Sequence, residues 1–377
     1  MAAPAVATSE LILAPEQEVD TPCLVVDEGI LRRNIERMAE FARGAGVGLR
    51  PHIKTHKTPE IARMQLAAGA VGITCAKVGE AEVMAEQAGV DDVLVAYPTV
   101  GEPKIRRILA LLERARVVVA VDSTAAAEAL SAAMKRHGRT LEVCIEVNTG
   151  QNRSGALAGD ESVAFALTVA RLPGLHMVGI MTHEGQANSA PPDEIETVAL
   201  AAGRTMVEIA ERIRGHSVEL PMVSVGSTPA SHYTPTVPGI TEMRPGTYVF
   251  NDSSAFQYGR LGVGDCAARF VATVVSRPAP DRAVLDTGSK SLAMDPGKAH
   301  PGHGYIVGHP EAIISKLSEE HGVVTLPAGE EGFAVGDRVE VIPNHVCPTV
   351  NLMDDLFIAR DGRLVDTWRI AARGKVR

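Results

Sequence analysis

Between about residues 47 and 244 one pattern recurs eight times: a short run rich in β-branched residues, then a longer segment rich in Ala and Leu. The runs are Val47–Arg50, Val71–Cys75, Asp92–Ala96, Val117–Val121, Leu141–Val147, Met177–Thr182, Met222–Val225 and Thr241–Met243. The intervening segments Pro59–Ala68, Lys104–Ala115, Thr124–His137, Ser162–Leu172 and Glu196–Arg214 carry apolar residues every three or four positions, the period of a helix with one buried face. Parallel strands need crossover connections and are buried on both faces, so they read as near-continuous apolar runs. Eight such units in roughly 200 residues predict an α/β fold, a (β/α)8 TIM barrel. A doubly wound open sheet is the competing arrangement, and no Gly-x-Gly-x-x-Gly follows an early strand to support it.

Past about Arg260 the texture changes. Ala268–Ser276, Ala283–Asp286, Ala312–Leu317, Arg338–Ile342, Leu356–Ala359 and Leu364–Ile370 are strand-like, separated by Gly, Pro and Asp turns, with no helix of useful length. The division expected is a barrel over 28–260 and a β domain made of 1–27 plus 261–377, joined by the early strand-like run Thr21–Val26. A chain of 377 residues is long enough for two cores. A net charge of -9 with scattered basic residues argues against nucleic acid or an anionic membrane as partner. No apolar stretch approaches the roughly 20 residues needed to cross a bilayer. Met1–Asp20 lacks the basic and apolar regions of a secretory signal and reads as a loose tail, so a cytoplasmic protein is expected. Cys23, Cys75, Cys144, Cys266 and Cys347 are odd in number and widely spaced, which argues against disulfides. Cys347 differs from the rest in lying in a polar, Pro-flanked turn beside His345.

In such a barrel catalytic groups project from the carboxyl ends of the strands, and loops after the seventh and eighth strands hold phosphate. Lys54 stands at the end of the first strand, in Leu49-Arg50-Pro51-His52-Ile53-Lys54-Thr55-His56-Lys57. An amine walled in by apolar strands and cationic neighbours becomes a nucleophile able to hold an aldehyde cofactor covalently. Lys54 and His52 are therefore the candidate catalytic residues, although a lysine beside a Pro-His pair is also an ordinary solvated loop residue. After strand five, Arg153 in Glu146-Val147-Asn148-Thr149-Gly150-Gln151-Asn152-Arg153-Ser154-Gly155 can donate to the phenolic oxygen of a pyridine ring. After strand six, His183 offers a flat imidazole to the ring face. A surface arginine and a satisfied loop histidine are the alternatives. After strands seven and eight, Gly226-Ser227-Thr228 and Gly246-Thr247-Tyr248 combine small residues with hydroxyl donors. A helix start after Pro229 would add its positive end. Either loop alone also reads as a plain Gly-Pro turn.

Together these segments resemble the fold type III family of pyridoxal-phosphate enzymes, to which alanine racemase belongs, over nearly the whole chain. Pro51-His52-Ile53-Lys54 looks like the cofactor-lysine motif, Arg153 lies in a similar arginine loop, and Thr182-His183 matches the ring-stacking histidine. Gly226, Ser227, Thr228, Gly246, Thr247 and Tyr248 resemble the phosphate cradle. In Pro343-Asn344-His345-Val346-Cys347-Pro348-Thr349-Val350-Asn351-Leu352, His345 and Cys347 lie two apart on what reads as an extended segment, a spacing that offers two ligands to one divalent metal. The surrounding residues resemble the metal-binding segment shared by D-threonine aldolases and eukaryotic-type D-serine dehydratases. Cys75-Ala76-Lys77-Val78-Gly79-Glu80-Ala81, Leu285-Asp286-Thr287-Gly288-Ser289-Lys290, Glu320-His321-Gly322 and Ala371-Ala372-Arg373-Gly374-Lys375 are similar to the same branch.

The resemblance implies pyridoxal 5'-phosphate and a divalent ion (Mn, Mg or Zn) as cofactors, a small-molecule β-hydroxy-D-amino acid as substrate, and a homodimer. It implies a low-specificity D-threonine aldolase, with a D-serine dehydratase as the alternative: a Cys at 347 is what the dehydratases use, while the Val346–Leu352 context and the tail look more like aldolases. A racemase would need a second base such as Tyr258 or Tyr305 and would leave His345 and Cys347 without a role. A non-catalytic cofactor-binding protein would not need the β domain. Asp295 and His321 are pocket residues by resemblance only. The segment His300-Pro301-Gly302-His303-Gly304 reads as an exposed loop.

Overall fold

The computed structural model describes residues 11–14, 17–259, 261–330 and 332–377, without the Tyr258 side chain. The chain divides into two compact units. One takes Arg37–Lys54, Pro59–Gly246 and Lys375–Arg377; the other takes Met1–Glu36, Thr55–Thr58 and Thr247–Gly374.

The first unit is the expected TIM barrel. Its strands run side by side in the order Gly48–Leu49, Glu242–Met243, Met222–Val225, Leu175–Met181, Leu141–Asn148, Arg116–Val121, Asp92–Val95 and Ile73–Cys75, every neighbour parallel. Bonds from Val71 N to Leu49 O (2.9 Å) and from Thr74 N to Pro51 O (2.8 Å), with a bridge between His52 and Thr74, join the last strand to the first. In Arg116–Val121 every residue after Arg116 is buried, as a strand covered on both faces requires. The helices present the predicted stripes: Ile195–Arg214 buries Ile195, Ala199, Ala202, Met206, Ile209 and Ile213. Thr124–His137 ends where Gly138 takes a left-handed φ of 60°, a conformation that costs glycine nothing, with Lys135, Arg136 and His137 offsetting the helix dipole.

The second unit is antiparallel β. Ala268–Ala279 pairs with both Arg338–Ile342 and Arg282–Leu285, closing a ring through Gly322–Thr325, Ile313–Leu317 and Tyr305–Ile306. Cys23–Asp27 adds to Ala268–Ala279, then Asp355–Arg360 and Arg363–Arg369 follow, so the early strand lies in this sheet.

Three expectations change. The Met1–Asp20 tail lies outside the described residues at 1–10, 15 and 16, but Ile12 and Leu13 are not loose: both are 4% exposed and pack with Cys23, Val25, Val271 and Ala359. The segment read as extended after His345 is a helix, Val346–Leu352. Pro348 falls in its first turn, where no intrahelical N–H is needed, so the proline is compatible with the helix. His300 and His303 are half-buried rather than exposed, and His300 meets Tyr305 edge-on at 5.5 Å. None of the five cysteines is in a disulfide; burial pushes the Cys23 and Cys144 thiols up to about 12.

Candidate active site

Within the barrel unit, a cavity of about 410 Å³ opens at the carboxyl ends of the strands. It is lined by His52, Lys54, Arg153, His183, Gly226 and Arg244, with Glu146 and Ser154 beside them and Ala76, Ala96, Tyr97, Pro98 and Met181 as its less polar wall. Five of the expected site residues therefore meet in one place.

Lys54 sits half-buried in the tight turn Ile53–Thr55 that follows the first barrel strand. Its backbone N–H donates to His52 Nδ1 at 3.4 Å, which leaves the proton of a neutral His52 on Nε2. Burial, reinforced by the charges of Lys54 and Arg244, holds the His52 imidazole well below its usual range. His183 is the opposite tautomer, because its Nδ1 faces the Gly226 carbonyl, which only accepts. Burial and the nearby Lys54 press His183 down to about 3. Both rings are thus neutral near pH 7, one presenting a donor and the other an acceptor.

A stability consequence follows for His183. Its folded value of about 3 lies below the ordinary 6.5, so it contributes stability above about pH 6.5 that is lost as the pH falls toward 3. Urea midpoints should decline across that window, and His183→Asn should flatten part of the decline.

Arg244 was not singled out by sequence reasoning, which valued its loop for the small residues that follow. It is 4% exposed and donates to Ser224 Oγ (2.5 Å) and the Thr182 carbonyl (2.6 Å), while burial lowers its guanidinium. The Gly226 N–H is spent on Glu184 Oε2 at 2.9 Å. Gly226 therefore serves by size: a Cβ there would stand 2.8 Å from Arg244 Cβ. Burial raises the carboxyl of Glu146, to which Ser154 donates at 2.9 Å.

The loop after Met222–Val225 does not begin an α-helix. After Pro229 it makes turns, with Tyr233 N bonded to Ala230 O at 2.9 Å, and then the short 3₁₀ stretch Thr234–Thr236. Pro235 arrives too soon for a helical nucleus to propagate. Ser227, Thr228 and Gly246 belong to the barrel unit but are not among the described residues lining the cavity; Thr247 and Tyr248 belong to the other unit.

In the β unit, His345 is the extended residue before helix Val346–Leu352, and Cys347 lies in the first turn. His345 Nδ1 is 3.1 Å from Asp295 Oδ1. Cys347 Sγ is 3.3 Å from the hydroxyl of Thr55, the residue next after Lys54 in the chain, and 3.9 Å from that of Thr247. Asp252, buried, accepts the Val346 N–H at 3.0 Å and so fixes the backbone between the two. Burial opposes protonation of His345, but Cys347, Asp252 and Asp295 outweigh it and hold the imidazole up at about 9. Among the described residues no set of three or more His, Cys, Asp or Glu side chains converges as a metal site. Tyr305 packs edge-on to Phe256 at 5.5 Å.

A parallel barrel carrying a lysine after its first strand, followed in the chain by an antiparallel β unit, defines the fold type III pyridoxal-phosphate class. Residues 26–254 match the family described as "Alanine racemase, N-terminal domain", and 267–359 match "Putative serine dehydratase domain". The chain belongs to the alanine racemase-like family, in the branch that holds D-threonine aldolases and D-serine dehydratases. It is 34% identical over 363 residues to a D-threonine aldolase of an Arthrobacter species, covering 96% of this chain and 94% of that one. The solved D-threonine aldolase of Filomicrobium marinum matches with a TM-score of 0.90 at 33% identity, covering 98% of this chain and all of that one. The D-threo-3-hydroxyaspartate dehydratase of Delftia sp. HT23 gives 0.87 at 32% identity, over 93% of this chain and 97% of that one. A cysteine-to-alanine variant of that dehydratase has been solved in a metal-free form. The relatives are lyases acting on small amino acids. Among the described residues no helix is long and apolar enough to cross a membrane.

Proposed function

We propose that this protein is a pyridoxal-phosphate- and divalent-metal-dependent D-threonine aldolase of low specificity, cleaving β-hydroxy-D-amino acids to glycine and an aldehyde. The observation that carries the reading is the single cavity in which the Lys54 amine, the Arg153 and Arg244 guanidinium groups and two neutral imidazoles gather at the strand ends. That donor set suits an anionic aromatic aldehyde: a nucleophile for the carbonyl, cations for the negative charge, a flat uncharged ring for the pyridine face. Pyridoxal phosphate, when bound, supplies the electron sink that makes a bond to Cα labile. In this reading Lys54 holds the cofactor covalently, Arg153 and His183 position the ring, and Ser227, Thr228 and Gly246 hold the phosphate, with Gly226 serving by its size. His52, neutral and bonded to the Lys54 backbone, presents its Nε2 proton as a hydrogen-bond donor.

His345 and Cys347 would hold the metal ion, which would displace the proton that His345 otherwise keeps. A divalent ion held there would supply Lewis-acid chemistry to a substrate hydroxyl. The sulfur ligand favours Zn2+ over Mn2+ or Mg2+. Dialysis against a chelator should abolish turnover while the visible absorbance of the bound cofactor stays, and added Mn2+ or Zn2+ should restore the rate. We further propose a cytoplasmic homodimer, on the family resemblance.

The second reading is a D-serine-type dehydratase, favoured by Cys347 and by the match of 267–359 to a serine dehydratase domain. Incubation with D-threonine separates the two. Acetaldehyde with glycine supports the aldolase, whereas 2-oxobutanoate with ammonia and no aldehyde rejects it. A racemase is not favoured by any observation, and the Tyr258 side chain it would call on lies outside the described residues.

A further inference from the structure

Barrel interiors are ordinarily filled by layers of branched apolar side chains. Here one part follows that rule, with Leu94, Val118, Ala120, Cys144, Val178 and Met181 packed together. Another part is a continuous polar column. Arg244, at the cavity, donates to Ser224 Oγ at 2.5 Å, and the Ser224 hydroxyl donates to Glu242 Oε1 at 2.7 Å. Glu242 Oε2 accepts Arg50 Nε at 2.7 Å, and Arg50 Nη1 reaches Asp92 Oδ1 at 2.5 Å. Asp92 Oδ2 accepts from Arg116 at 2.8 Å, and Arg116 pairs with Glu142 at 2.5 Å. Ser224 is fully buried, and Arg50, Glu242 and Arg244 are 4%, 6% and 4% exposed.

The column alternates in sign and uses each donor in one direction. Glu242 and Ser224 are register partners on neighbouring strands, and Glu242 and Arg244 are two apart, so all three share a face. Room has been made for it: a Cβ on Gly72, whose φ is 155°, would stand 2.3 Å from Arg50 Nη1. A buried guanidinium needs counter-charge; Glu184 and Glu146 also face Arg244, but Glu242, the largest of these influences, is joined to it by a hydrogen-bonded serine hydroxyl.

We propose that Ser224 and Glu242 are positioning residues that keep Arg244 charged and fixed at the cofactor cavity, Ser224 being the link. The inference rests on the reading of that cavity as the pyridoxal-phosphate site. Ser224→Ala removes one hydroxyl and leaves the Arg50 pairs in place. In the cofactor-loaded protein it should shift the visible absorbance of the bound cofactor and the pH at which it titrates. It should lower kcat on the order of 10- to 100-fold with KM within about threefold, and Ser224→Thr should restore all three. A Ser224→Ala protein that loses only stability, with spectrum, titration and kcat like the wild type, overturns the inference. A second measurement does not need the cofactor: urea midpoints for Ser224→Ala, Arg244→Lys and the double variant should be non-additive, and additive midpoints also overturn it. If the wild type binds no pyridoxal phosphate, the proposed function fails, while this coupling still decides whether Ser224 holds Arg244.

Discussion

Lys54→Ala is expected to yield a folded protein without the yellow, borohydride-trappable chromophore of the wild type, and with turnover reduced on the order of 10³-fold or more. The side chain is half-buried at the cavity, whereas the backbone N–H that bonds His52 is unchanged by the substitution. The loss should therefore be chemical rather than conformational. Circular dichroism should match the wild type, and mass spectrometry after borohydride should show the added cofactor on the wild type only. A chromophore retained and trapped on another lysine would remove the basis of the functional reading. Added pyridoxal phosphate should not rescue the variant, because what is missing is the amine.

The barrel was legible because strands buried on both faces cannot disguise themselves. Met222–Val225 was read without error, and Leu141–Val147 differs from its observed bounds by one residue. Elements escaped where charge or proline masked the pattern. Helix Glu28–Ala45 is dense in Arg and Glu, yet Leu31, Ile35, Met38 and Ala42 form a buried stripe. Helix Val346–Leu352 was hidden by Pro348, and the missing helix after Pro229 was a false start cut short by Pro235. Of the residues that line the candidate cavity, Lys54, His52, Arg153, His183 and Gly226 were legible because each follows a recognisable strand. Arg244 was not, since a buried arginine spells the same as a surface one. Its partners Ser224 and Thr182 are 20 and 62 residues away and become neighbours only when parallel strands align.

The largest stability effect is expected in the β unit, at Glu340. Its carboxylate is enclosed: Arg269 Nη1 donates to Oε2 at 2.9 Å, Leu13 N donates to Oε1 at 3.0 Å, and the two ionic side chains are 1% and 3% exposed. Arg269 also donates to the Val263 carbonyl at 3.1 Å, so this one pair ties strand Ala268–Ala279, strand Arg338–Ile342 and the segment at Leu13 together. Glu340→Ala would strand a buried guanidinium and orphan a buried N–H. The cost should be about 3–5 kcal/mol, a large fraction of a typical folding free energy, read as a lower urea midpoint. Replacing both members, Arg269→Met with Glu340→Leu, should recover most of the loss, because the penalty comes from the unpaired charge rather than from the absence of the bridge. Equal losses in the single and double variants would instead place the energy in the bond to Leu13, and Arg269→Met alone, which keeps that bond's acceptor, would then be nearly neutral.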